Sequence, residues 1–322
     1  QGQQTSFDFN EMMQSVNYSV EEPEIPENLA RVAGYSLEKV DNIIGYTGKP
    51  IGIKTYKPYH SIGEDFLQNY LGMIGLPMDQ VPYFPEGEDF ILLTESSKYD
   101  SEIISRIKKQ LSEGKIVIIT SGLLKALQDK GLDDIVELRY TDRKMMVSNY
   151  TTGRYQLVKG DKPVMINQIQ YLTNDSWEIV SGISGANGWP ILHMADYSKG
   201  KLFVFTIPDN FADLYNLPEA VLNKIRQVIC SDLDIYLVAP ASVSIYLYDN
   251  NTFIVESFVD TTVSFNVISK DKFTKITDIT SEDEIKGELR KATRSRDGFS
   301  GISKKVYNIS LKPHSFRIFK YE

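Results

Sequence analysis

Hydrophobic positions along the chain change period several times, and each change marks a predicted element. From Asn28 to Ile44 the apolar residues Leu29, Val32, Ala33, Leu37, Val40, Ile43 and Ile44 recur at intervals of three and four. That is the period of an amphipathic helix whose apolar stripe needs a covering neighbour. Ile51–Tyr56 is a short apolar run that predicts a strand; Lys57-Pro-Tyr-His-Ser-Ile-Gly63 breaks it, and a helix is predicted from Glu64 to Ile74. Strands follow near Val81–Phe84 and Phe90–Thr94, then an amphipathic helix over Ser101–Ser112 and a strand at Lys115–Thr120. Alternation of strand and helix implies a parallel sheet with helices on both faces.

From Ile135 to Ile183 the pattern loses its helices. Glu137–Tyr140, Lys144–Ser148, Val164–Tyr171 and Trp177–Ile183 read as antiparallel strands that extend the sheet, and Pro190–Met194 with Lys201–Ile207 reads as a hairpin. A helix from Pro218 to Ser231 closes this region. Beyond Asp234, strands at Ile235–Val238, Ser242–Tyr248, Thr252–Phe258, Thr262–Ile268, Lys305–Leu311 and Ser315–Tyr321 recur at roughly ten-residue spacing, the pattern of a small β-sandwich. The polar stretch Thr280–Ser300 reads as an exposed excursion, and residues 1–27 as an irregular lead-in. The division expected is a lead-in and helix over 1–48, an α/β domain over 49–232 and a β-sandwich domain over 233–322.

Composition narrows the function classes. A net charge of −8 with basic residues dispersed among acidic ones lacks an electrostatic footprint for nucleic acid. No apolar run approaches the roughly 20 residues that span a bilayer. One cysteine, Cys230, excludes a disulfide framework within the chain and reads as a small buried residue. The three histidines, His60, His193 and His314, have no local metal-ligand spacing, so no metal or cofactor is expected.

The stretch with most chemical content is Gly114-Lys-Ile-Val-Ile-Ile-Thr-Ser121-Gly122, where an apolar strand runs straight into a helix. Such a junction can display a nucleophile at the carboxyl edge of a sheet, with helix amides aimed at the same spot. Three other segments should reach that edge: the loop with Lys57, Tyr59, His60, Glu64 and Asp65, the turn at Glu95, and Pro208-Asp209-Asn210. Lys57, Tyr59, His60, Glu64, Glu95, Ser121 and Asp209 are therefore the ligand-binding candidates, and Ser121, His60 and Glu95 the catalytic ones. Tyr56, Tyr59, Tyr83 and Phe84 suit either sugar stacking or core. Glu64 and Asp65, placed at a predicted helix start, would favour its dipole.

Gly114-Lys-Ile-Val-Ile-Ile-Thr-Ser121-Gly122, with Phe90-Ile-Leu-Leu-Thr-Glu95 and the hairpin from Gly188 to Pro208, resembles the class I glutamine amidotransferase-like fold. The likeness is to the version that forms the middle, trimerisation-type domain of bacterial beta-galactosidases. Asn308-Ile-Ser-Leu-Lys-Pro-His-Ser-Phe-Arg-Ile-Phe319 resembles the closing strands of a glycoside hydrolase C-terminal β domain. The resemblance implies a flavodoxin/amidotransferase-like three-layer α/β domain followed by a small all-β sandwich. It also exposes departures: Ser121 stands where active relatives carry cysteine, and Pro208-Asp209-Asn210 where they carry the catalytic histidine. A serine without a base is a poor nucleophile. The expected role is thus a non-catalytic part of a secreted or periplasmic bacterial glycosidase-like protein, acting in association or carbohydrate binding. Its partners would be a missing N-terminal catalytic domain, a second copy, or a carbohydrate. The alternative is a self-contained hydrolase using Ser121 with His60 or His193.

Overall fold

The structure, a computed structural model, describes residues 29–153, 156–173, 175–270, 273–290 and 303–322. The expected lead-in over 1–27 and the 291–300 part of the expected excursion lie outside these residues. In chain order come α1 (Leu29–Ile44), β1 (Pro50–Ile51), β2 (Ile53–Tyr56), α2 (Leu67–Met73), β3 (Met78–Val81), β4 (Phe90–Leu93), a 3-10 turn at Glu95–Tyr99, α3 (Ile103–Ser112), β5 (Ile116–Thr120) and α4 (Ser121–Leu127). Next are β6 (Leu138–Thr151), β7 (Leu157–Tyr171), β8 (Ser176–Ser184), β9 (Asn187–Tyr197), β10 (Gly200–Phe205), a 3-10 segment at Phe211–Asn216 and α5 (Glu219–Ile229). The remainder is β11 (Ile235–Val238), β12 (Val243–Tyr248), β13 (Thr252–Ser257), β14 (Val263–Lys270), β15 (Lys275–Asp278), β16 (Glu284–Lys286), β17 (Glu288–Arg290), β18 (Lys304–Leu311) and β19 (Phe316–Tyr321).

A nine-stranded mixed sheet has the order β3-β2-β4-β5-β10-β9-β8-β6-β7. Its first five strands are parallel and the rest antiparallel. Alternate residues of the central strands feed two separate cores. Ile91, Leu93, Val117, Ile119, Leu202 and Val204 pack with Ile103 and Ile107 of α3 and Leu124 of α4. Leu92, Ile118, Phe203 and Phe205 pack with Leu67 and Leu71 of α2 and Val221 and Ile225 of α5. Burial on both faces is why β4 and β5 read as unbroken apolar runs. A six-stranded sheet (β1-β12-β13-β19-β15-β16) and a four-stranded sheet (β11-β14-β18-β17) enclose a third core, with Ile245, Phe253, Phe265, Tyr307 and Phe319 among its members.

Several expectations need correction. The predicted strand Ile51–Tyr56 divides: Pro50 and Ile51 pair with Tyr248 and Leu247 of the six-stranded sheet, and only Ile53–Tyr56 joins the nine-stranded one. The strand expected at Val81–Phe84 lies earlier, at Met78–Val81. Glu137–Tyr140 and Lys144–Ser148 fall in or beside one long strand, β6, whose register shifts between Tyr140 and Lys144. Within the expected excursion, β16 and β17 add edge strands to the two C-terminal sheets. The helix expected from Glu64 begins only at Leu67, because Glu64 and Phe66 hold left-handed φ angles of 49° and 66° that a helix cannot contain.

Arg226 ties the sheets together. It is fully buried on α5, and its Nε donates to the Ile74 carbonyl at 2.6 Å while Nη2 donates to the Pro240 carbonyl at 3.0 Å. Nη1 donates to Asn223 Oδ1 at 2.6 Å and also to the Ala239 carbonyl. Desolvation lowers its pKa to about 10, so the guanidinium remains charged at neutral pH among oxygen acceptors. Cys230, one turn on, is fully buried, and burial lifts its thiol pKa to about 12.

Candidate functional site

The carboxyl edge of the parallel strands does gather candidate residues, but they bond to one another. Thr120 ends β5 in an extended conformation and caps α4, its Oγ1 accepting the Leu123 N–H at 3.3 Å. The same hydroxyl donates to Glu64 Oε2 at 2.6 Å, and the Glu95 N–H donates to that oxygen at 2.8 Å. The Gly122 N–H also bonds the Glu64 carboxylate. A Cβ built on Gly122 would stand 2.5 Å from Glu64 Oε1, so glycine is required here for the close approach of the carboxylate. Strain in a left-handed turn is not the reason, since Gly122 has no positive φ.

Glu64 thus does not serve the dipole of its own following helix, as its position in the sequence suggests. It reaches the start of α4 from a loop in which His60, Gly63, Glu64 and Phe66 all have positive φ. Burial of its carboxyl, reinforced by the neighbouring Glu95 charge, outweighs the three hydrogen bonds and raises its pKa to about 7.

Ser121 is not displayed. It is 2% exposed, and its Oγ accepts the Ile207 N–H at 3.0 Å, a contact between the ends of β5 and β10. Neither histidine proposed as its base is bonded to it. His60 lies exposed in the β2–α2 loop. His193 is buried in β9, stacked on Tyr171 at 5.3 Å, with neither ring nitrogen hydrogen-bonded among the described residues; burial lowers its pKa to about 4 and keeps it neutral.

Most of the other candidates are taken up in ion pairs. Lys57 pairs with Asp65 at 2.6 Å, which lowers the Asp65 pKa, and Glu95 pairs with Lys98 at 2.5 Å. Asp209 pairs with Lys144 of β6. Tyr59 is 77% exposed, whereas Tyr56 is buried against Phe84 with its hydroxyl on Asp100 at 3.3 Å. Thr120 was not among the candidates: its cap of α4 and its bond to Glu64, 56 residues away, leave no mark in the local pattern. Among the described residues no group of three or more His, Cys, Asp or Glu side chains could hold a metal ion. No described helix is long and apolar enough to cross a membrane.

Residues 48–210 match the family described as the second domain of the uncharacterized protein SSO3021, and the chain belongs to that family. Residues 234–321 match the C-terminal domain of a probable glycosyl hydrolase, so the chain is glycosyl hydrolase-related. No curated protein matches the chain. Among solved structures, a beta-galactosidase from Bacillus circulans sp. alkalophilus aligns at 11% identity over 92% of this chain and 45% of its own, with a TM-score of 0.51. The alpha-L-fucosidase isoenzyme 2 from Paenibacillus thiaminolyticus aligns at 12% identity over 92% of this chain and 53% of its own, with a TM-score of 0.50. A beta-galactosidase from the haloarchaeon Halorubrum lacusprofundi aligns at 14% identity over 92% of this chain and 43% of its own, with a TM-score of 0.49. For the first two, at these identities, the likeness concerns fold alone, and the chain spans about half or less of the length of all three glycosidases.

Proposed function

We propose that this chain is a non-catalytic part of a glycosidase-like polypeptide, serving association between domains or subunits, with an amidotransferase-like α/β domain over 49–232 and a β-sandwich domain over 233–322. The observation that carries the reading is the occupied carboxyl edge. Glu64 takes up the Thr120 hydroxyl and the Gly122 and Glu95 N–H groups, and the Ser121 oxygen is bonded to the Ile207 N–H. Hydrolysis by an activated serine needs a base on the hydroxyl and free donors for the developing oxyanion. Among the described residues no histidine is bonded to the Ser121 hydroxyl, and the nearby Glu95 and Gly122 N–H donors are already spent on Glu64.

The strand order β3-β2-β4-β5-β10 with helices on either side supports the amidotransferase-like assignment, and the two family matches support the division into domains. Association is supported by exposed apolar side chains. Leu37 of α1 is 68% exposed, and Ile62, Phe66 and Tyr83 stand exposed around the carboxyl edge. A secreted or periplasmic location belongs to the same proposal.

The test is hydrolysis of glutamine, p-nitrophenyl acetate and p-nitrophenyl β-galactoside by the chain and by Ser121→Ala. Equal, background rates are expected. Turnover that Ser121→Ala abolishes while the melting temperature holds would replace this reading with the hydrolase one. Sedimentation at micromolar concentration tests association: self-association weakened by Leu37→Asp with Val40→Asp is expected, and a monomer indifferent to both would remove that part.

A further inference from the structure

The outer face of the six-stranded sheet is built unlike a solvated sheet face. Along β12, Val243, Ile245 and Leu247 enter the inner core, so the intervening Tyr246 and Tyr248 face outward. The strand register sets Tyr246 beside Ile254 and Ile254 beside Ile318, and in the next row sets Ser244 beside Glu256 and Glu256 beside Phe316. Two-sided apolar strands with a carboxylate set among the rings are not what a solvated face requires, because such faces alternate to polar residues.

This face forms one wall of a groove of about 860 Å3, and α1 forms the other with Tyr35, Lys39, Val40 and Ile43. That volume falls within the roughly 300–1,000 Å3 of small-ligand clefts. The floor holds fixed polar groups. The Tyr246 hydroxyl donates to Glu256 Oε2 at 3.1 Å, and partial burial raises the Glu256 pKa. Arg317 at one end is held by Asp278 at 2.6 Å. Asp283 and Ser281 border the same end.

We propose that this groove binds an oligosaccharide, with pyranose C–H faces against Tyr246, Tyr248 and Phe316 and sugar hydroxyls bonded to Glu256 and Lys39. A saccharide fits because it presents both kinds of surface at once, an apolar ring face and a rim of hydroxyls, which amphipathic aromatics beside a carboxylate match. A docked apolar helix would leave Glu256 without a partner outside its own sheet, at the cost of desolvating it. The inference goes beyond the scaffold reading and does not depend on the carboxyl edge, so activity appearing at Ser121 would leave it standing.

The experiment is isothermal calorimetry of the chain with β-linked galactotetraose, xylotetraose, mannotetraose and cellotetraose at millimolar concentration. At least one is expected to bind. Tyr246→Ala should weaken that binding by roughly tenfold, the scale of one lost aromatic contact, with the melting temperature unchanged. Glu256→Gln should weaken it less. Absence of binding with all four probes overturns the proposal, as does binding that Tyr246→Ala and Tyr248→Ala leave intact. Self-association that Tyr246→Ala abolishes, with no saccharide bound, would make the groove a seat for protein and overturn it too.

Discussion

The carboxyl edge of the nine-stranded sheet and the outer face of the six-stranded sheet both set aromatic rings beside carboxylates, yet they treat the carboxylate in opposite ways. At the edge, Glu64 is consumed: one hydroxyl and two backbone N–H groups converge on it, and Gly122 leaves no more room than its oxygens need. On the outer face, Glu256 has one hydrogen-bond partner among the described residues, Tyr246, and lines the groove. The place that the strand-to-helix pattern marks for chemistry is satisfied from within, and the unsatisfied surface lies on the sheet that carries no chemical motif. Polar residues at a sheet edge mark a site only if their hydrogen-bonding capacity is left over after the backbone has been served.

Arg226 fixes the nine-stranded sheet's α2 end to the segment after β11, and its loss should have the largest effect. Arg226→Ala should lower stability by on the order of 4 kcal/mol, because it leaves the Ile74, Ala239 and Pro240 carbonyls without their donor and opens a cavity. Urea denaturation measures this, and a loss under about 1 kcal/mol would mean that the junction is held by other contacts.

The consumed state of Glu64 has a pH signature. Its folded pKa of about 7 lies above the ordinary carboxylate value, so its contribution to stability is fully present below pH about 4.5 and is lost as pH rises through about 7. His193 acts with the opposite sign in an overlapping window: its folded pKa of about 4 means that its contribution is present above pH about 6.5 and lost as pH falls toward 4. The two offset each other in the wild type, so single variants are needed to separate them. The stability of wild type relative to Glu64→Gln should fall by about 2–3 kcal/mol between pH 5 and pH 8. Relative to His193→Phe it should rise over pH 4 to 7. Parallel pH profiles of wild type and Glu64→Gln would show that the carboxyl is solvated.

Gly122→Val sharpens the same point by sterics, since its Cβ would meet Glu64 Oε1 at 2.5 Å. A loss of roughly 1–3 kcal/mol is expected, and Glu64→Ala in the same chain should recover part of it. Recovery would assign the cost to the carboxylate; none would assign it to the backbone. The smallest effect belongs to the open face. Tyr246, 43% exposed, should be replaceable by alanine within about 0.5 kcal/mol.

Periodicity was sufficient for the elements whose faces are simple. The all-buried runs of β4 and β5, the helix of α3 and the β9–β10 hairpin stand close to where the apolar pattern places them. It failed where one residue serves two masters. Ile51 reads as the start of β2 but pairs in another sheet, because its partner, Leu247, lies far along the chain. Glu64 was legible as a helix-start acid, and the left-handed angles that carry it to a different helix were not, since Glu64 and Phe66 are residues that sequence reading assigns to ordinary φ. Ser121 was legible as a junction serine. That its oxygen is bonded to Ile207 depends on the β5–β10 pairing, which local sequence does not contain.

The most direct test of the central claim is labelling of Ser121 by a fluorophosphonate, read by mass spectrometry of the intact chain and its peptides. A serine whose oxygen is buried and bonded to the Ile207 N–H, with no histidine on it, should stay unmodified under conditions that label an activated serine to completion. Stoichiometric modification of Ser121 in the folded chain would contradict the account.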